Sequence, residues 1–303
     1  MDQKLRRQDI SAVLIAGPTA SGKSALALEL ARDLGGEIVN ADSMQVYGVL
    51  DRLTARPGAE DLEAVPHHLY GHVSPVSAYS TGIWLDQATD VIAAIRARGA
   101  LPVVVGGTGL YFRALTGGLS DMPEIPEPIR TELRARLEAE GVAPLHQELA
   151  RLDPDMAARL RPADRQRILR ALEVVRATGK SIAAFQGRGG AQIVDPLTAR
   201  CLVLEPDRPM LHARINARFA RMLEEGAIDE VKQLISLDVP PQHPAMKAIG
   251  VSQISDYLAG RHSLDQAMDL ASAATRQYAK RQLTWFRNQL DQRWERIQTQ
   301  GHE

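Results

Sequence analysis

Three short runs without polar alternation, Val13–Ala16, Val103–Val105 and Cys201–Leu204, are bounded by Gly, Pro or Asp and predict strands buried on both faces of a parallel sheet. Glu37-Ile-Val-Asn40 makes a fourth, weaker one. Between them the apolar spacing turns helical: Ser24–Leu34 is closed by Gly35-Gly36. Ile83–Arg98 is closed by Gly99 and carries Ile83, Ala88, Val91, Ile92 and Ile95 at three-to-four spacing. Strand and helix in alternation predict an α/β layered fold. The alternation stops after Tyr111. Pro123–Pro128 is a stiff linker, Gly187–Gly190 a loose one, and the text between them is helical and Arg-rich. Strand character resumes at Cys201, so residues 129–186 are expected to form a helical module inserted into the α/β domain, with a surface hairpin of that domain as the alternative. From about 207 to 290 the pattern is helical, with a break at Pro240-Pro241.

Composition adds little until it is divided along the chain. The 303 residues include 36 Lys/Arg against 37 Asp/Glu, 45% hydrophobic residues and one cysteine. That is enough apolar material for a large core and excludes disorder or a disulfide framework. Cys201 is expected as a small buried residue in a reducing compartment. The N-terminal Met-Asp-Gln-Lys-Leu-Arg-Arg and the apolar run after it imitate a signal peptide, but the run is too short, and no stretch reaches membrane-spanning length. Residues 1–121 carry ten Lys/Arg against thirteen Asp/Glu, whereas 129–190 carry twelve against eight and 275–296 six against two. The near-neutral total conceals two basic segments, each compatible with nucleic acid or with an ordinary solvated helix face.

Gly17-Pro-Thr-Ala-Ser-Gly22-Lys23-Ser24 satisfies G-x-x-x-x-G-K-[ST] between a strand and a helix, the context in which backbone N–H groups cradle phosphate oxygens. Gly17, Pro18, Thr19, Ala20, Ser21, Gly22, Lys23 and Ser24 are the candidate phosphate ligands, with Lys23 as point charge and the Ser24 hydroxyl on Mg²⁺. An NTPase would need an acid at the end of a second strand. Val103–Val105 runs into Gly106-Gly-Thr-Gly109 instead, and the one strand leading to an acid ends at Glu205. Asp42 lies after the Glu37–Asn40 strand, where parallel sheets bind ligands, and fits either a general base or a helix N-cap. The expected fold is therefore α/β: a P-loop NTPase-like parallel sheet flanked by helices over 1–122 and 191–303, with an all-helical insertion at 123–190.

The chain resembles the tRNA dimethylallyltransferases, or tRNA isopentenyltransferases, nearly end to end. The resemblance rests on Gly17–Ser24, Asn40-Ala-Asp-Ser-Met-Gln-Val-Tyr47, Thr54-Ala-Arg-Pro57, Val65-Pro-His-His68, Val105-Gly-Gly-Thr-Gly-Leu-Tyr111, Gln166-Arg-Ile-Leu-Arg170 and Tyr278-Ala-Lys-Arg-Gln-Leu-Thr-Trp-Phe-Arg287. It implies alkyl transfer: the phosphate loop holds dimethylallyl diphosphate, the N6 amine of the adenosine 3′ of a tRNA anticodon attacks the allylic carbon, and diphosphate leaves. By matching motif, Asp42 takes the amine proton and Thr108 binds a phosphate oxygen or supports the reacting pair. Arg214 is the further diphosphate ligand, with Arg218 competing for that role. Adenine amines are weak nucleophiles, so a positioned base and a stabilised leaving group are what this chemistry requires.

On the RNA side, the resemblance implies contacts from Asp42, Ser43, Met44, Gln45, Thr108, Arg130, Gln166, Arg167, Ile168, Leu169 and Arg170, and from Lys247, Ala248, Ile249, Gly250, Val251 and Ser252, with the insertion as the RNA-binding module. Helix geometry over Asp164–Thr178 puts Gln166, Arg167 and Arg170 on one side and Ile168, Leu172 and Val175 on the other. Reading a loop base means splaying it into a pocket, where Gln45 or Ser43 could recognise it. Arg276, Lys280 and Arg287 share a stripe suited to phosphate contact or to packing. Val251 stands where the family commonly has an aromatic residue. His67-His68 lacks ligand-spaced partners and fits a strand or loop. Trp84, Trp285 and Trp294 are expected in the core or at interfaces. The resemblance further implies a cytoplasmic, monomeric, Mg²⁺-dependent enzyme with tRNA and dimethylallyl diphosphate as partners and no membrane. The alternatives are prenyl transfer to a free adenine nucleotide and a P-loop kinase or ATPase.

Overall fold

The computed structural model describes residues 10–118, 120, 122–186 and 189–299. The N-terminal segment that imitates a signal peptide, up to residue 9, and Gly187-Arg188 of the loose linker lie outside the described residues. The chain divides into two compact units, Met1–Thr116 with Ile193–Glu303 and Gly117–Gln192.

The larger unit holds β1 (Val13–Ala16), α1 (Lys23–Leu34), β2 (Gly36–Asn40), α2 (Ala59–Ala64), β3 (His67–His68), α3 (Thr81–Ala97), β4 (Leu101–Gly106) and α4 (Gly109–Leu115). The smaller unit follows with α5 (Glu127–Glu140), α6 (Val142–Leu152), α7 (Pro154–Arg159) and α8 (Arg165–Thr178). The larger unit then resumes with β5 (Arg200–Pro206), α9 (Arg208–Glu224), α10 (Ala227–Ser236), α11 (Val251–Leu258), α12 (Leu264–Gln289) and β6 (Trp294–Thr299).

The strands form one parallel sheet in the order β3-β2-β4-β1-β5-β6. Its inner strands are apolar throughout because helices cover both faces. Leu14, Val104 and Val203 pack with Trp84, Ile92, Phe112 and Phe286 on one side. Val13, Ile15, Val103, Val105 and Leu202 pack with Ala27 and Ala31 of α1 on the other. Cys201 lies in this core, where burial raises its thiol to about 11.

Three expectations change. The buried stripe of α3 is Trp84, Ala88, Ile92 and Ile95, while Ile83 is exposed, because the helix starts at the Ser80 cap and turns residue 84 inward. The helical text ends at Gln289, and Trp294–Thr299 adds an edge strand on β5. Glu205, considered above as a strand-end acid, is paired with Arg296 and Arg287 and accepts a hydrogen bond from Gln298. Its carboxylate belongs to the β5–β6 edge.

The described residues of the smaller unit are mainly helical, with a bridge between Ser120 and Gly189. Leu133 of α5, Leu145 and Leu149 of α6, Met156 of α7 and Ile168, Leu172 and Val175 of α8 form its core. Its surface is laced by ion pairs, Arg136 with Glu140 and Glu148 and Arg176 with Glu132.

Candidate active site

Three loops of the site lie at the carboxyl ends of parallel strands β1, β2 and β4, the position at which such sheets open a crevice. After β1, Gly22 takes φ 90° as the cap of α1, and Ala20 a left-handed φ of 63°. A non-glycine residue in that region stores strain, which commonly marks a functional turn. Lys23 Nζ donates to the Pro18 carbonyl at 3.2 Å, and Ser24 is exposed at the start of the helix. The first-turn N–H groups of α1 have no partner within the helix, so they and Lys23 present a cradle for anionic oxygens. Inside the loop the Ser21 hydroxyl is buried without a hydrogen-bond partner.

After β2, the Asn40 side chain accepts from Asp42 N at 2.9 Å and donates to the carbonyls of Asp42 and Leu69. Asp42 Oδ1 accepts from Met44 N at 2.9 Å. After β4, Thr108 Oγ1 accepts from Ser43 N at 2.9 Å, and Thr108 N donates to Ala41 O. The two loops approach so closely that a Cβ on Gly106 would lie 2.0 Å from the Ala41 carbonyl oxygen. Thr108 thus holds the Asp42 loop in place.

Helix α12 closes the arrangement. Gln282, buried, accepts from Thr19 N at 2.9 Å and donates to Gly107 O at 2.8 Å, joining the phosphate loop to the β4 loop. A Cβ on Gly107 would meet the Gln282 amide at 2.2 Å and Asp42 Oδ2 at 3.3 Å. Arg218 of α9 donates to Thr19 Oγ1. A cavity of about 280 Å³ opens here, with Thr19, Asp42, Ser43, Arg218, Tyr278 and Arg281 among its polar lining and Leu53, Ile215, Phe219 and Met222 among its apolar walls. The Arg281 guanidinium also stands 5.6 Å from the centre of the Tyr278 ring.

Burial dominates the electrostatics. It lowers Lys23 from 10.5 to about 8, opposed by the charge of Asp42 and reinforced by that of Arg218. It also lowers Arg218, again opposed by Asp42. Tyr278 is pushed up by burial and then by Asp42, which keeps the phenol protonated as a donor.

The sequence candidates divide. Thr19, Asp42, Ser43, Met44, Lys247, Ala248 and Ile249 line the cavity. Arg214, exposed, has its guanidinium 3.8 Å from where a Gly22 Cβ would stand, while Arg218, one turn later, reaches Thr19 and the cavity. Gln45 does not read a base with its amide donors, because Nε2 donates to Thr54 O at 2.9 Å and Ala55 O at 2.8 Å. Val251 cannot stack on a base, because α11 is amphipathic and turns Val251 with Ile254 into the core, whereas Ser252 is exposed. On the smaller unit Gln166 and Arg167 are exposed, Leu169 is half-buried, and Arg170 pairs with Glu173 at 3.1 Å. The Ile168 side chain lies in the helical core. Arg130 stands 3.8 Å from Glu127. On the Arg276, Lys280, Arg287 stripe of α12, Arg276 donates to Asn216 and Arg287 pairs with Glu205. The face turned to the site carries Thr275, Tyr278 and Gln282 at i, i+3 and i+7, of which Tyr278 and Gln282 fall in the quoted Tyr278–Arg287 motif.

His68 pairs with Glu37 on the β2–β3 edge. Among the described residues no group of three His, Cys, Asp or Glu could hold a metal ion, and no helix is long and apolar enough to cross a membrane.

Comparison with known proteins agrees with this geometry. The family model described as IPP transferase matches residues 45–289, and the one described as isopentenyl transferase matches 10–70. A tRNA dimethylallyltransferase of Rhizobium leguminosarum bv. trifolii is 60% identical over 95% of this chain and 97% of its own. The one of Rhizobium meliloti is 57% identical over 98% of each. Among solved structures, the full-length tRNA isopentenylpyrophosphate transferase of Bacillus halodurans superposes with a TM-score of 0.67 at 38% identity, covering 95% of this chain and 89% of its own. A eukaryotic dimethylallyltransferase acting on tRNA gives 0.76 at 29% identity over 91% and 69%. With a phosphate loop, a strand-end carboxylate and a bridging glutamine arranged around one cavity, and with relatives of this likeness along nearly its whole length, the chain belongs to the IPP transferase family, the tRNA dimethylallyltransferases.

Proposed function

We propose that this chain transfers the dimethylallyl group of dimethylallyl diphosphate to the exocyclic N6 amine of the adenosine 3′ of a tRNA anticodon. The observation that carries this is the convergence of Asp42 with Thr19 and Arg218 on one cavity that also has apolar walls in Leu53, Ile215, Phe219 and Met222. The diphosphate sits in the Gly17–Ser24 cradle, with Lys23 and Arg218 as its cations and Arg214 over Gly22. The amine nitrogen attacks C1 of the allyl group, the C1–O bond breaks, Asp42 accepts the amine proton, and diphosphate departs with the bond electrons. Apolar walls exclude water, which strengthens these charge interactions and protects an allylic centre carrying positive charge from hydrolysis.

Mg²⁺ suits the donor set. It keeps most of its waters and needs only one or two protein oxygens beside substrate phosphates, and Ser24 offers an exposed hydroxyl at the cradle. Bound there, it would neutralise charge on the departing diphosphate. Gln166, Arg167 and Arg170 are the contacts expected on the anticodon loop, with Ser43, Thr108, Lys247 and the Ala248–Gly250 backbone at the acceptor base. A monomer in the cytoplasm fits the lone buried Cys201.

One assay tests the reading: labelled dimethylallyl diphosphate is offered with undermodified tRNA, AMP or ATP. Label is expected in tRNA alone. Label in AMP but not tRNA would sink the proposal, and ATP turnover without prenyl transfer would favour a kinase or ATPase. In the same assay Asp42→Asn is expected to lower the rate at least about 100-fold, the contribution of a positioned base, while diphosphate affinity is retained. A near-normal rate removes Asp42 as base.

A further inference from the structure

Opposite the phosphate loop, the cavity wall is built by a turn that has little regular structure of its own. Leu53 and Thr54 line the cavity, yet the backbone of this segment is neither helix nor strand, and Ala55 sits at a positive φ of 53°. Such a turn keeps one shape only if something outside it satisfies its backbone. Glu230 does so. From the start of α10, its carboxylate accepts three successive backbone N–H groups, from Asp51 at 3.2 Å, Arg52 at 2.6 Å and Leu53 at 3.1 Å. On the far side of the turn, Gln45 donates to the carbonyls of Thr54 and Ala55. Gln45 is three residues from Asp42, so the turn is held between a carboxylate that does not itself line the cavity and the loop that carries the base.

We propose that Glu230 is a positioning residue for prenyl transfer, acting through the Asp51–Ala55 turn and Gln45 to hold the Asp42 loop and the Leu53 wall in the geometry the acceptor base requires. This rests on the tRNA-prenylating reading of the same cavity. Glu230 is half-buried, and burial raises its carboxyl above the usual range against the opposing effect of the three N–H donors. The phosphate cradle is fixed independently, by Gln282 and Arg218 on Thr19. Loss of Glu230 should therefore separate two events that share one cavity.

The test compares wild type, Glu230→Gln, Gln45→Leu and the double variant, with Glu230→Asp as the milder replacement should the Gln variant fail to fold. Measured are kcat and KM for undermodified tRNA, the Kd of inorganic diphosphate, and the thermal midpoint. Glu230→Gln turns an amide N–H₂ towards backbone donors. It is expected to lower kcat about tenfold or more, the scale of a sub-ångström misplacement of reacting groups, with diphosphate Kd unchanged within about twofold. Glu230→Asp should show the same split at smaller size. The double variant should lose less than the product of the single effects, because both act on one turn. A folded Glu230→Gln protein with wild-type kcat overturns the proposal. So does a loss in kcat matched by an equal weakening of diphosphate binding, or full multiplicativity in the double variant. If the wild type itself transfers no label to tRNA, the parent reading fails and this one falls with it. Normal transfer by wild type and Glu230→Gln alike defeats this inference only.

Discussion

Lys23 is an ammonium in a place that disfavours charge, lowered to about 8 chiefly by burial. Below about pH 8 it is protonated and available to an anion. A bound diphosphate stabilises that charge, so above pH 8 binding must draw a proton into the site, and affinity falls as pH rises by up to about tenfold per unit. Isothermal titration of inorganic diphosphate from pH 6.5 to 9.5 should show a plateau and then this decline, and Lys23→Met should bind more weakly at pH 7 and flatten the curve. Stability runs the other way. The unfolded lysine holds its proton up to about 10.5, so the cost of burying the charge is full below about pH 8 and is relieved as pH rises through that interval. The motif made Lys23 legible in the sequence. Its burial was not, because burial arises from distant helices folding over the loop. The choice between Arg214 and Arg218 was illegible for a similar reason. They sit one turn apart on α9, and only the position of Thr19 distinguishes them.

Among elements, α12 illustrates what spacing conveys and what it omits. Its motif was visible and its basic stripe left phosphate contact or packing open, but the face turned to the site is identified by a neighbour, the Gly107 carbonyl, 175 residues away in sequence. The Gly106-Gly-Thr-Gly109 run, legible only as a loop lacking an acid, owes its glycines to what approaches them: the Ala41 backbone at Gly106, Gln282 at Gly107 and the Trp285 ring at Gly109. Gly107→Ala should therefore displace Gln282 and slow transfer roughly 10- to 100-fold. Gln282→Ala opens the same space, so the double variant should be no slower than Gln282→Ala alone. Steady-state rates of the three proteins check this, and a double variant slower by the product of both effects would mean the alanine collides with something else. Strands β1, β2, β4 and β5 were legible because both of their faces are buried. Edge strand β6 escaped because Trp294-Glu-Arg-Ile-Gln-Thr299 buries only Trp294 fully and follows a long helix.

For the molecule as a whole, the RNA contact proposed for the smaller unit is tested unequally by the two arginines of α8. Arg170 partners Glu173, whose side chain is 8% exposed, so Arg170→Ala leaves a buried carboxylate without its cation and should lower the thermal midpoint. Arg167, at 76% exposure, is the cleaner probe. Arg167→Ala is expected to weaken tRNA binding several-fold, reduce the slope of log affinity against log salt by about one, and leave diphosphate affinity alone. Filter binding at three salt concentrations would reveal it, and an unchanged slope would remove Arg167 from the phosphate contacts.

The sheet order carries one more implication, for the chain while it is being made. Among the described strands β1, which bears the phosphate loop, is made first, yet its neighbours β4 and β5 begin only at Leu101 and Arg200, and Gln282 comes later still. The helical unit at 117–192 can bury its own core meanwhile. Until then β1 keeps at least one unpaired edge, the kind of surface on which nascent chains aggregate or are taken up by chaperones. Overproduced protein truncated between the smaller unit and β5 should accumulate as insoluble material, because the strand that anchors the chemistry is still waiting for its second neighbour.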